Sequence, residues 1–221
     1  IAKDTLKVKK VAILRDVKHD YSVGLAEYFT QTFTKNGGTI VVDQSYSAGD
    51  MDFKSQLTAI RAEKPEAIYV PGYYTEVGLI ARQAKELGLN VPLMGGDGWD
   101  SPKLTEIGGK AIEGSYFSNH YSPEDKSPLV QKFIAEYKAK FGSIPNSLAA
   151  MGYDAAKVLA DAMTRAPDLK STSIKAAIAT TKNFPGVTGS ITLNEHRNPV
   201  KSAVVLKVAS DGYKYQTTVN P

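Results

Sequence analysis

Short β-branched runs alternating with amphipathic helical stretches govern the first half of this chain, and that alternation leaves few folds open. Val11-Ala12-Ile13-Leu14 reads as a buried strand. Leu25, Phe29 and Phe33, spaced four apart, mark a helix that stops at Gly37-Gly38. Thr39 to Val42 is the next strand, and Phe53, Leu57 and Ile60 lie on one face of a second helix. Ala67-Ile68-Tyr69-Val70 is a third strand, followed by the helical stripe Val77, Ile80, Ala81, Ala84 and Leu87. Val91 to Met94 is a fourth strand; Ser101-Pro102 opens a short helix with serine as N-cap and proline in the first turn. Ser115-Tyr116-Phe117 completes the series as a fifth strand. Regular strand–helix alternation builds right-handed βαβ units, so the fold class is α/β with a doubly wound parallel sheet. The continuous apolar strands fit, because a parallel sheet is covered on both faces.

The pattern then changes. Three helices are expected in succession, from Ser127-Pro128 to Phe141, from about Ser147 to Arg165 and from about Thr172 to Thr181, with no strand between them. Beta character returns at Val187–Leu193, Ala203–Val208 and Tyr213–Thr218, with Asp211-Gly212 as the turn between the last two. Three consecutive helices need a surface to cover. They form a small layer of their own, or they belong to a second sheet that lies mostly outside this sequence.

Composition removes several functions. The 221 residues contain no cysteine, which excludes disulfides, thiol catalysis and Cys-based metal sites. The net charge of +4 is scattered, and the densest basic cluster, Lys7, Lys9 and Lys10, reads as a solvated strand entrance rather than a nucleic-acid patch. No apolar run approaches a membrane span, and Ile1-Ala2-Lys3-Asp4 lacks the apolar core of a signal peptide, so any export signal is expected outside these residues. His19, His120 and His196 lack metal-ligand spacing, and Asp50 and Asp52 resemble helix caps more than a calcium loop. No nucleophile elbow, P-loop or dinucleotide motif follows any strand, so no cofactor is expected.

In open α/β sheets ligands bind beyond the carboxyl ends of the strands. The residues there are Arg15, Asp16, His19, Asp20 and Tyr21 after the first strand, Pro71-Gly72-Tyr73-Tyr74-Thr75-Glu76 after the third, and Gly95-Gly96-Asp97-Gly98-Trp99-Asp100 after the fourth. A carboxylate flanked by aromatic faces suits an ammonium, through charge-assisted hydrogen bonds and cation–π attraction of about 0.5–2 kcal/mol. Equally, Gly-Gly-Asp-Gly reads as a plain turn and the tyrosines as packing residues; spacing alone does not choose.

At these loops the chain resembles the leucine/isoleucine/valine-binding proteins of ABC transporters, receptors of the type I periplasmic-binding fold. The matching segments are Asp20-Tyr21-Ser22-Val23-Gly24-Leu25-Ala26, Pro71-Gly72-Tyr73-Tyr74-Thr75-Glu76 and Gly95-Gly96-Asp97-Gly98-Trp99. Gly152-Tyr153-Asp154-Ala155 and Phe184-Pro185-Gly186-Val187-Thr188-Gly189 follow in the family's order.

The resemblance implies a receptor, not an enzyme, that binds an aliphatic amino acid outside the cytoplasm and delivers it to a membrane permease. By position, Tyr21 and Tyr73 line the ligand cleft, Asp97 takes the ligand's α-ammonium, and Trp99 walls the side-chain pocket. Family members often carry glutamate where Asp97 stands. The implied C-terminal lobe is 4–118 plus 204–221, and 119–203 is the late, helical part of the N-terminal lobe. The sequence then begins near the first crossover, and the lobe that holds the ligand's α-carboxylate is expected mostly upstream. Leu129, Phe133, Tyr137, Tyr153 and Met163 would present an apolar surface, so a homodimer, a helix swap or mobile helices are expected, with little binding of free amino acids. The lysine-rich, cysteine-free composition suggests, by analogy, a Gram-positive lipoprotein. Rival readings are a receptor of the same fold for an amide, a polar amino acid or an aromatic acid, and a doubly wound enzyme acting on a small metabolite.

Overall fold

The structure, a computed structural model, describes residues 1–220. Strands β1 (Lys10–Asp16), β2 (Thr39–Tyr46), β3 (Ala67–Tyr69), β4 (Leu93–Gly95) and β5 (Tyr116–Asn119) alternate with helices α1 (Asp20–Lys35), α2 (Lys54–Ala62), α3 (Tyr74–Glu86) and α4 (Pro102–Gly108). Helices α5 (Pro128–Phe141), α6 (Ser147–Arg165) and α7 (Ser171–Ala179) follow without an intervening strand. The chain ends in β6 (Phe184–Gly186), β7 (Gly189–Leu193), β8 (Pro199–Val200), β9 (Ala203–Ala209) and β10 (Gly212–Val219). Every strand and helix expected from periodicity is present; the short strands β6 and β8 are additional.

The main sheet has the order β10-β9-β5-β4-β3-β1-β2. Neighbouring pairs from β2 through β1, β3 and β4 to β5 are parallel. The mixed α/β class with a mostly parallel sheet is therefore as the alternation requires. Val11, Ala12, Ile13 and Leu14 all have zero exposure. Successive side chains of a strand point to opposite faces, so β1 is covered on both. On one face Val11 and Ile13 join Ala26 and Phe33 of α1, Ala67 and Tyr69 of β3, and Met94 of β4.

Local signals set the helix ends. Ser101 caps α4 by accepting the Lys103 N–H at 3.2 Å, with Pro102 in the first turn. Asp52 takes the Lys54 N–H at the start of α2 at 3.0 Å. Asp50 does not reach that helix; it closes its own turn on the Ser47 N–H at 2.8 Å.

The chain divides into two compact units, 1–118 with 205–214 and 119–204 with 215–221. Residues from Tyr215 onward group with the second unit, whereas the sequence places them with the first.

The second unit holds α5, α6, α7 and the antiparallel sheet β6-β7-β8. Its core is small: Tyr121, Val130, Phe133, Ala150 and Val187, with Ile134, Tyr137 and Tyr153 packed against it. Phe133, expected on an exposed apolar face, is 4% exposed, which corrects that expectation. Its ring lies 4.8 Å from Tyr153, so α6 buries it rather than a further sheet. Leu129 and Met163 are exposed as expected, and Leu148 and Leu159 join them. Residues 148, 152, 155, 159 and 163 recur at helical spacing, so α6 carries an exposed apolar stripe of Leu148, Gly152, Ala155, Leu159 and Met163.

One buried carboxylate ties this unit together. Asp154 of α6 accepts the Val187 and Thr188 N–H groups at 2.8 Å each and the Thr188 hydroxyl at 2.7 Å. A Cβ at position 186 would sit 2.6 Å from an Asp154 oxygen, so only glycine lets β6 pass so close.

Candidate functional site

The loops after β1, β3 and β4 meet at the carboxyl edge of the parallel sheet. Each follows a buried strand that fixes where it starts. Tyr21 sits in the first turn of α1, Tyr73 immediately before α3, and Asp97 opens the short 3-10 turn Asp97–Trp99. The Tyr21 hydroxyl donates to Asp97 Oδ1 at 2.8 Å and accepts the Gly98 N–H at 2.9 Å. The rings of Tyr21 and Tyr73 stack, with centroids 5.2 Å apart and planes at 27°. Three of the four residues singled out in the sequence thus form one constellation.

The glycines beside Asp97 are required by this arrangement. A Cβ at Gly96 would lie 2.8 Å from the Tyr21 hydroxyl; one at Gly98 would lie 2.7 Å from the Gly72 carbonyl and 3.2 Å from Tyr21. Gly-Gly-Asp-Gly therefore does more than turn the chain. It brings a carboxylate and a tyrosine into hydrogen-bond contact.

Trp99 has a different place. It has zero exposure, donates its indole N–H to the Val70 carbonyl at 3.0 Å, and packs 5.9 Å from the Phe117 ring. A side chain with no accessible surface walls no pocket, so Trp99 anchors the Asp97 loop from below. The loop is also held by Tyr213 of β10, whose hydroxyl donates to the Ser101 carbonyl at 2.5 Å.

Electrostatics keeps the phenols neutral. Burial pushes the Tyr21 hydroxyl well above the ordinary tyrosine range, and the Asp97 charge pushes it further, against the opposing Gly98 N–H. Tyr69, at the end of β3, is raised first by burial and then by Asp97. Its ring stacks on Phe29 at 4.1 Å. Tyr69 was not singled out in the sequence. The available signal was its position as the last residue of an otherwise aliphatic strand. Around Asp97 the structure thus places protonated phenol groups, a low-polarity wall and one carboxylate, which suits a cation that donates hydrogen bonds.

Other polar residues at this edge serve the fold. Glu76 accepts the Gly49 N–H at 3.0 Å. Asp16 is 2% exposed, accepts the Lys18 and Ala48 N–H groups at 2.9 and 3.1 Å, and bonds the His19 ring. Asp20 is exposed at the start of α1. Among the described residues no group of three or more His, Asp or Glu side chains is arranged to hold a metal ion, and no helix is long and apolar enough to cross a membrane.

Residues 1–213 match the model of a family described as periplasmic binding protein. The Leu/Ile/Val-binding protein BraC3 of Rhizobium johnstonii is 34% identical over 191 residues, which are 86% of this chain and 51% of that protein. Among solved structures, the leucine-binding protein LivK of Thermotoga maritima superimposes with a TM-score of 0.94 at 42% identity, covering 100% of this chain and 63% of that one. LivJ of Streptococcus pneumoniae, a branched-chain amino acid transporter substrate-binding protein in complex with isoleucine, gives 0.88 at 32% identity, covering 100% and 62%. The chain thus spans about half the length of the curated relative and under two thirds of either solved protein.

Proposed function

The chain belongs to the periplasmic binding protein family, a family of receptors rather than enzymes, and from that premise we propose that it takes part in binding an aliphatic, branched-chain amino acid outside the cytoplasm and presenting it to an ABC permease. The observation that carries this reading is the Asp97 carboxylate, bonded by the Tyr21 hydroxyl at 2.8 Å under the stacked, 40% exposed ring of Tyr73. In this reading Asp97 takes the ligand's α-ammonium, Tyr73 offers its ring face, and Tyr21 holds the carboxylate in place. Its one hydroxyl proton is given to Asp97 and it accepts the Gly98 N–H, so in this reading it orients Asp97. The similarity to LivK, a leucine-binding protein, to LivJ in complex with isoleucine and to the Leu/Ile/Val-binding protein BraC3 supports a branched-chain side chain.

The finer assignments are proposals of the same kind. The first unit is read as the C-terminal lobe and the second as part of the N-terminal lobe, and the ligand's α-carboxylate is left to a surface other than the Asp97 loops. The α6 stripe supports association of this chain with a second copy. Anchoring as a lipoprotein rests on analogy, and lipid labelling in the host cell tests it.

A thermal-shift screen of the full-length protein carrying this chain tests the reading. Leucine, isoleucine and valine raise Tm, with a stabilisation of about 2.7 kcal/mol at a hundredfold excess over Kd. Amides and aromatic acids, which lack the ammonium, leave Tm unchanged. Equal stabilisation by an acid without an ammonium overturns the assignment of Asp97.

A further inference from the structure

We infer that His19 is a positioning residue of this site: aimed by Asp16, it packs its ring against that of Tyr73, which also stacks on Tyr21, and so fixes the aromatic face presented beside Asp97. The inference rests on the ligand site proposed above.

Helices α1 and α3 start at residues whose side chains are rings rather than caps. His19 occupies the N-cap of α1 and Tyr73 the N-cap of α3, and neither side chain makes a capping hydrogen bond. Ser, Thr, Asp or Asn normally stands there, satisfying an N–H that the helix leaves unpaired. Here both positions hold rings, and the rings meet edge to face, with centroids 5.4 Å apart and planes at 80°. The N-cap residues of α2, α5 and α7 also make no side-chain cap, so what distinguishes His19 and Tyr73 is that their two rings touch each other.

The His19 ring is aimed rather than loose. Its Nδ1 is bonded to Asp16 Oδ2, while Asp16 Oδ1 takes the Lys18 and Ala48 N–H groups at 2.9 and 3.1 Å. The Asp16 N–H in turn donates to Ser22 Oγ at 3.0 Å. A carboxylate held on one oxygen, 2% exposed and rooted at the end of β1, has little freedom in where its other oxygen points. The order of support therefore runs from β1 through Asp16, His19, Tyr73 and Tyr21 to Asp97. Tyr73 is 40% exposed and the His19 side chain 45%, and ring contacts to both His19 and Tyr21 hold Tyr73 in one orientation. Without His19 one flank opens and the ring samples other rotamers, which a ligand must then order.

The test compares wild type, His19→Ala and His19→Phe in the full-length protein carrying this chain. Leucine affinity is read by calorimetry and the Tyr73 ring by NMR, its resonances assigned by difference from Tyr73→Phe. The indole N–H of Trp99, the only tryptophan, reports the fold. His19→Ala is expected to shift or broaden the Tyr73 ring signals, leave the Trp99 signal in place, and weaken leucine about three- to tenfold, as an edge-to-face pair is lost. His19→Phe keeps an aromatic ring against Tyr73 but not the bond to Asp16, and restores part of that loss, which a merely structural role would not produce. Unmoved Tyr73 signals in His19→Ala, a displaced Trp99 signal, or His19→Phe as weak as His19→Ala overturns the inference. If wild type binds no amino acid, the ligand reading falls, and the Tyr73 signals still decide the role of His19.

Discussion

The two units solve the problem of a core in different ways. The largest fully buried side chains, from Trp99, Phe53 and Phe117 to Leu104 and Ile112, all lie in the first unit. There a parallel sheet is covered on both faces by the helices of its own βαβ units, and little apolar surface is left over. The second unit buries Phe133 and Val130 against α6 and Val187, yet leaves Leu148 at 62%, Leu159 at 44% and Leu169 at 68% exposure. Its helix α7 has no fully buried residue. Alternating strands and helices make a unit that closes on itself; consecutive helices cover one another on one side only and rely on specific clasps such as Asp154.

Hydrogen exchange gives the largest expected contrast. Amides of β1 and β3 should exchange only through global opening, and those of α7 through local fraying, a difference of about 4 kcal/mol or more. Equal protection in the two units breaks the comparison.

Asp154→Ala comes next. It strands two buried N–H groups and the Thr188 hydroxyl, so a loss of about 3–5 kcal/mol is expected, confined to the second unit. Exchange in α6 and β7 should accelerate while β1 stays protected. Uniform destabilisation across both units would show that they unfold as one.

Alkaline pH acts on the first unit. Tyr21, Tyr46, Tyr69 and Tyr213 all lie there, and burial raises each above the ordinary value of 10.0. A phenol with a raised folded pKa binds its proton more tightly when folded. Its contribution is full below about pH 10 and is lost as pH climbs toward the folded value. Absorbance titration should find these four tyrosines ionising late, with their ionisation coinciding with loss of the Trp99 signal. These four phenols ionising in the ordinary tyrosine range in the folded protein would contradict this burial.

The smallest effect on stability is at the α6 stripe. Leu159→Lys with Met163→Lys removes two exposed apolar side chains and should change stability by about 0.5 kcal/mol or less. Any self-association seen by light scattering should fall. Association that persists unchanged places it on another face.

Much of this was legible in the sequence because the physics is local. Four-residue runs such as Val11–Leu14 and the Val77–Leu87 stripe specify strand and helix without help from the rest of the chain. Tyr21, Tyr73 and Asp97 could be grouped because the strand-end rule brings their loops to one edge. Trp99 was misplaced because a tryptophan next to a site residue reads the same whether it faces the ligand or the core; only the indole bond to Val70 decides. Phe133 was misread for a related reason. Its helical face predicts burial but not against what, and Tyr153 supplies the cover. The clasp by Asp154 joins residues more than thirty positions apart, a pairing no local pattern encodes.

The central claim is that Asp97, set by Tyr21, is the counter-charge for the ligand's ammonium. Calorimetric titration of leucine into the full-length protein, as wild type and as Asp97→Asn, tests it most directly. Asparagine keeps the shape and an acceptor for the Tyr21 hydroxyl but removes the charge. The account predicts a loss of about 2–5 kcal/mol in binding with thermal stability nearly unchanged. Unaltered leucine affinity in Asp97→Asn would contradict it.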